Sequence, residues 1–365
     1  MGTLRLRPAI RGIPPYVPGK AVSEVARELG LTRIIKLASN ESVAGPSPRA
    51  LEAIQRNLAD VHRYPEDTSY ELKRALARKL GVQPGNLLLG TGADEVLLLL
   101  GQLFLDPGDE CLFPYPSFSL YRKSARVMAA VPVEAPLREE RIDLEELLKR
   151  VTPRTKLVFL CNPNNPTGHL VAGEQVLSFL QRLPEHVFPV IDEAYAEFVD
   201  DPGFRDGVGL FRQGHQLAAI RTFSKIYGIA GLRVGYAVVP AELATTADGI
   251  RNSFNINNLA QAAALAALED HEHVRRTREL TFAGRAQLVQ GLQAMGLAPI
   301  PSQTTFVCVG IDREAEQVFQ RLLRRGLIIR PLAGFAMPRH IRITVGTAEQ
   351  NEEVLAALKE ELSRT

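Results

Sequence analysis

The sequence predicts an α/β protein: a three-layer α/β/α large domain around a mostly parallel sheet, with a smaller α+β domain beside it. Three observations carry this. Short uninterrupted apolar runs alternate with amphipathic stretches from about residue 87 to residue 239, and strands apolar on both faces belong to sheets covered by helices on both sides. After about Ala241 the texture changes, and long helical patterns precede a few short strands. A chain of 365 residues also suits two packed units better than one core.

Residues 1–45 read as irregular, with prolines at 8, 14, 15 and 18 and a short helical stretch near 23–29. Residues 48–80 are helical in two blocks, broken at His62-Arg63-Tyr64-Pro65. Residues 87–89, 110–114, 156–161, 187–191, 218–221 and 234–239 read as strands, with helices such as 94–105 and 173–183 between them. Beyond them lie helices at 259–268 and 274–295, a strand at 305–309, a helix at 315–325, strands at 327–330 and 341–345, and a last helix. The expected division is a large domain at 46–245 and a small one from 1–45 with 246–365.

A formal net charge of +2 offers no electrostatic case for nucleic acid or an anionic membrane, so an anionic ligand must be recognised locally. Cys111, Cys161 and Cys308 form no CxxC pair, and a sparse, odd count suits a reducing compartment. The basic start lacks the apolar core of a secretory signal, and Leu6 stands where a myristoylation motif needs Ser or Thr. The most apolar run, 96–105, is about half a membrane span. A soluble, cytoplasmic protein is expected.

Four segments at strand ends carry the chemistry. Arg221-Thr222-Phe223-Ser224-Lys225, followed by Gly228, Gly231 and Arg233, sets an amine beside hydroxyls and a guanidinium. That combination supplies a nucleophile next to a phosphate site, although a loop lysine among turn glycines has the same pattern. Asp192, in Val190-Ile191-Asp192-Glu193-Ala194-Tyr195, ends an apolar run. It points into the crevice where open α/β sheets bind ligands, or else caps a helix. Cys161-Asn162-Pro163-Asn164-Asn165-Pro166-Thr167-Gly168 can aim an asparagine amide rigidly, or make an elaborate tight turn. Gly90-Thr91-Gly92-Ala93-Asp94-Glu95 lacks the third glycine of a dinucleotide fingerprint but suits a phosphate at a helix N-terminus. His271-Glu272-His273 places its histidines on different helix faces, so no metal site is expected.

Asn165-Pro166-Thr167-Gly168, Asp192-x-x-Tyr195 and Ser224-Lys225 followed by Arg233 resemble the fold-type I aminotransferases that use pyridoxal 5′-phosphate (PLP), from about Tyr16 onward. Within that group the chain looks most like the histidinol-phosphate aminotransferases. Lys36 to Glu41, Arg63-Tyr64-Pro65, Leu160 to Gly168, Arg221 to Gly235 and Arg342 to Thr347 carry that likeness. The resemblance implies roles. Lys225 would bond to PLP and carry the proton; Asp192 would pair with the pyridine nitrogen; Asn165 and Tyr195 would hydrogen-bond the phenolic oxygen. Phe118 would stack on the ring in place of the usual tyrosine. The Ala93 and Asp94 backbone, Thr222, Ser224 and Arg233 would hold the phosphate, with Tyr64 reaching it from the other subunit of a homodimer. Substrate contacts would come from Tyr16, Asn40, Arg330 and Arg342.

The implied reaction is transamination of L-histidinol phosphate with 2-oxoglutarate, giving imidazole acetol phosphate and glutamate. Asn40-Glu41-Ser42-Val43 departs from the family's Asn-Glu-Asn-Pro, and aromatic aminotransferases share nearly all the cofactor motif. An aromatic amino acid aminotransferase is the nearest alternative. A non-catalytic binding protein of the same fold would have lost a cofactor residue, and none is lost.

Overall fold

The computed structural model describes residues 5–15 and 19–363. Among the described residues twelve strands form three sheets: β1 (Ile35–Lys36), β2 (Leu87–Gly90), β3 (Glu110–Tyr115), β4 (Val131–Pro136), β5 (Thr155–Cys161), β6 (Phe188–Asp192), β7 (Ala218–Thr222), β8 (Gly235–Val238), β9 (Phe306–Gly310), β10 (Leu327–Ile328), β11 (Arg330–Pro331) and β12 (His340–Thr344). The central seven-stranded sheet has the order β2-β8-β7-β6-β5-β3-β4. Only β8 runs against the rest, antiparallel to both β2 and β7. Leucines, valines, isoleucines and alanines fill both faces, so the two helical layers cover separate apolar clusters.

β4 was not among the expected strands. Its sequence, Val-Pro-Val-Glu-Ala-Pro, is only partly buried, and two prolines remove ladder donors. Such a segment pairs only at a sheet edge, where one side needs no partner. Residues 1–45 are expected to be irregular apart from one helix, yet β1 pairs with β10 in parallel. Leu37 then donates to the Ile328 carbonyl at 2.7 Å and accepts from Thr344 N at 2.9 Å. Two-residue pairings between distant segments leave no local period to read.

The smaller unit packs β9, β11 and β12 with the helices Ala315–Arg324 and Ala348–Ser363 around a second core. Val25, Ile35 and Leu37 from the N-terminal segment belong to that core. The helix Asn258–Leu268, which lies beyond the expected boundary at 245, packs in the large core against Pro48–Asn57. The 23-residue helix His271–Gln293 spans both: Val274 and Phe282 touch the large core, while Leu288 and Leu292 are buried in the small one. Among the described residues no helix is long and apolar enough to cross a membrane.

Topology decides where the chemistry gathers. β2, β5, β6 and β7 all point one way, so Gly90, Cys161, Asp192 and Thr222 end at the same edge of the sheet. Because β8 runs backward, its entry at Gly235 lies at that edge too, opposite both Gly90 and Thr222. The residue two before it, Arg233, is thereby delivered to the crevice outside the strand ends.

Candidate active site

A cavity of about 300 Å³ opens at this edge, floored by the large sheet and walled by β11, β12 and residues 38–41. It is lined by Lys225, Asp192, Tyr195, Asn165, Phe118 and Asn40, by Ala93, Asp94, Thr222, Ser224 and Arg233, and by Arg330 and Arg342. The structure thus brings together thirteen of the fifteen residues singled out in the sequence. Tyr64 lies elsewhere, 82% exposed and stacked on Phe254 at 4.7 Å. Tyr16 falls outside the described residues.

Lys225 stands three residues past the end of β7, half-buried, with Nζ donating to the Ser39 carbonyl at 3.3 Å. Burial, with help from the nearby Arg342 charge, lowers its pKa to about 8. An amine so placed is partly neutral near physiological pH and can act as nucleophile and base. Its neighbour Arg221 does not serve the cavity: alternation along β7 turns it to the opposite face, where it pairs with Glu193, Glu197 and Asp206.

Asp192 ends β6 and is 3% exposed. Burial raises its pKa to about 6, against the opposing pull of a hydrogen bond from Tyr121 at 2.7 Å. A buried carboxylate of this kind is stabilised by a cationic partner. Tyr195, three residues on, accepts from Asn40 Nδ2 at 2.8 Å. Asn40 itself has φ of 56° and is held by Thr344, whose Oγ1 accepts from its backbone N–H at 3.0 Å. The short β1 segment therefore ends by presenting this asparagine to the large domain.

The Asn-Pro loop divides its three asparagines between support and presentation. Asn162 exchanges hydrogen bonds with the Val171 backbone, at 3.1 and 2.8 Å. Asn164 accepts from Ser117 at 2.8 Å and donates to Thr167 at 3.0 Å. With both sides braced, Asn165 faces the cavity and accepts from Arg342 Nη1 at 2.5 Å.

The helix Gly92–Phe104 starts at the cavity with no side-chain cap, so its first N–H groups and dipole face the opening. Gly92 has φ of +75°, and a Cβ there would come within 2.4 Å of Arg233 Nη2. A Cβ on Gly235 would meet Ala93 N at 2.2 Å. Arg233 is held beside this turn by the Ala230 carbonyl at 3.2 Å, and its Nη2 lies 3.7 Å from Asp94. Thr222 and Ser224 complete the cradle. Side-chain-free backbone, a helix N-terminus, hydroxyls and an arginine fit a phosphate group.

The family model for class I and II aminotransferases matches residues 32–358. The chain belongs to that family. It is 42% identical over 356 residues to the histidinol-phosphate aminotransferase of Caldicellulosiruptor saccharolyticus, covering 98% of this chain and 99% of the relative. It is 45% identical to that of Symbiobacterium thermophilum, covering 97% and 98%. Among solved structures it resembles histidinol-phosphate aminotransferase from Sinorhizobium meliloti in complex with pyridoxal-5′-phosphate, with a TM-score of 0.90, 32% identity and coverage of 99% and 98%. A mutant Thermus thermophilus aspartate aminotransferase gives 0.86 at 27% identity, covering 99% and 100%. The chain is a fold-type I, PLP-dependent aminotransferase, and the cradle, the lysine and the buried aspartate fit that cofactor.

Sequence reasoning missed several cavity neighbours. Tyr121 holds Asp192, the Ser39 carbonyl meets Lys225, and Cys161 and Phe335 line the wall. Tyr121 sits in a helix whose amphipathic pattern it simply continues, so no local signal distinguishes it.

Proposed function

We propose that this aminotransferase moves an amino group from L-histidinol phosphate to 2-oxoglutarate, giving imidazole acetol phosphate and glutamate. The observation that carries the reading is Arg330 facing Arg342 across the β11–β12 pair, in the same cavity as Lys225. Two guanidiniums suit a site that must take a phosphorylated donor and a dicarboxylate in turn. The names of the relatives point to the same donor.

Bound PLP supplies an electron sink for the pair left behind when the donor's Cα–H bond breaks. With the cofactor bound, Lys225 would be the residue that bonds to it and that moves the proton from the donor's Cα to C4′. Asp192 would pair with the ring nitrogen. Asn165 and Tyr195 would hydrogen-bond the phenolic oxygen, and Phe118 would stack on the ring. The Ala93 and Asp94 backbone, Thr222, Ser224 and Arg233 would anchor the phosphate. Asn40, Arg330 and Arg342 would contact substrate, and the same role is proposed for Tyr16.

We assign the large cofactor-binding unit to the seven-stranded sheet with its helices, and place its division from the small unit within the helix His271–Gln293. The active form is a homodimer in which Tyr64 reaches the other copy's phosphate site. Leu58, Val61, Tyr64, Tyr70 and Phe254 are all exposed, and the hydrogen bonds of Asn258 and Arg251 to residues 60–67 bring their segments together. Such a patch is apolar enough for an interface. Three free, buried cysteines suit the cytoplasm.

Single-turnover rates with histidinol phosphate and with phenylalanine test the substrate. A large preference for histidinol phosphate is expected; faster reaction with phenylalanine would assign the chain to aromatic amino acids instead.

A further inference from the structure

Tyr121 is fully buried at the start of the helix Leu120–Val127, and its hydroxyl donates to Asp192 Oδ2 at 2.7 Å. Its ring is clamped: it stacks on Phe159 at 4.7 Å and 6°, and meets Phe118 edge-on at 5.8 Å and 83°. The other carboxylate oxygen, Oδ1, accepts from Ala194 N at 3.2 Å. Both oxygens of Asp192 are therefore fixed from the protein side, and the carboxylate cannot turn without breaking a buried hydrogen bond.

We infer that Tyr121 is a positioning residue for the cofactor, its hydroxyl keeping the Asp192 carboxylate ionised and aimed at the ring nitrogen. The inference rests on Asp192 being the partner of that nitrogen. Phe118 links the two halves of the device: it lines the cavity where the ring is to stack, and its contact with Tyr121 ties the stacking plane to the orientation of the carboxylate. A simple core-filling tyrosine would need neither the hydroxyl nor a carboxylate opposite it.

The groups that act on Asp192 are few. Burial pushes its pKa up, the Tyr121 hydrogen bond and the Ala194 N–H pull it down, the Asp94 charge pushes it up and the Lys225 charge pulls it down. Cys161 and Tyr195, both buried beside it, feel its charge. Removing the Tyr121 hydroxyl takes away the largest opposing contribution. Asp192 then protonates at a higher pH, and below that pH it no longer attracts a protonated ring nitrogen.

The test is a thermodynamic cycle on the full-length protein, with PLP binding to the apoenzyme followed by absorbance from pH 5 to 9. Tyr121→Phe keeps the stacked ring. It is expected to weaken PLP binding about tenfold, the effect of a lost hydrogen bond to a charged group, and to move the acid limb of affinity to higher pH. In an Asp192→Asn background the same change is expected to do nothing further, because no carboxylate remains to be held. Unchanged affinity and pH response in Tyr121→Phe would overturn the inference. So would an equal weakening in the Asp192→Asn background, which would make Tyr121 a packing residue only. If Asp192→Asn alone binds PLP as tightly as the parent, the role of Asp192 itself fails, and that outcome is distinct from the other two.

Discussion

Arg342, on a strand of the small domain, donates through Nη1 to Asn165 Oδ1 at 2.5 Å and through Nη2 to the Ala38 carbonyl at 2.9 Å. One guanidinium thus joins the Asn-Pro loop of the large sheet to the N-terminal segment. It is 5% exposed and lies over the Phe306 ring at 5.0 Å. A planar, forked donor can hold both partners while facing a carboxylate; a lysine cannot. Arg342→Lys is expected to raise the KM for 2-oxoglutarate by about 10- to 100-fold, from the loss of about 1.5–3 kcal/mol of charged hydrogen bonding. Steady-state kinetics against the oxo acid reads this directly, and an unchanged KM would remove Arg342 from the substrate site.

Lys225 gives a pH-dependent expectation. Its pKa is lowered to about 8 by burial, so the amine is about half neutral at pH 8, whereas an ordinary lysine would be under about 1% neutral. Only the neutral form attacks an aldehyde. Covalent uptake of PLP by apoenzyme should therefore rise through pH ~8 and level off above it. Borohydride reduction should fix the label on Lys225, and Lys225→Ala should lose it together with about 10²–10⁴-fold in rate. Uptake rising only above pH ~10, the ordinary lysine range, would show that the amine is not perturbed.

Gly92 is required twice over, by its positive φ and by the Arg233 guanidinium that would lie 2.4 Å from any Cβ. Gly92→Ala should push Arg233 out of the phosphate cradle and weaken PLP binding about tenfold, while costing about 1–2 kcal/mol of stability from backbone strain. Titration of apoenzyme and thermal melting separate the two effects. Normal PLP affinity in a melted-down variant would mean that Arg233 does not hold the phosphate.

Tyr64 tests the dimer. It is exposed and does not line the cavity of its own chain, so the role proposed for it depends on a second copy. Light scattering should give twice the chain mass. Tyr64→Phe should leave that mass unchanged and weaken PLP binding several-fold, as loss of one phosphate hydrogen bond predicts. A monomer with full activity would sink the shared-site reading.

The sequence by itself determined the α/β class, most strand positions in the large sheet, and the residues at its strand ends. Asp192, Asn165 and Lys225 are legible because each follows an apolar run that fixes which edge it occupies. Four things belonged to the tertiary structure alone. The backward direction of β8 brings Arg233 to the cradle, although its apolar run reads the same in either direction. The edge strand β4 is hidden by its own prolines, and β1 is too short to show a period. Tyr121 reaches Asp192 across 71 positions of chain. Such long-range contacts are paid for by packing of the whole domain, and no local propensity encodes them.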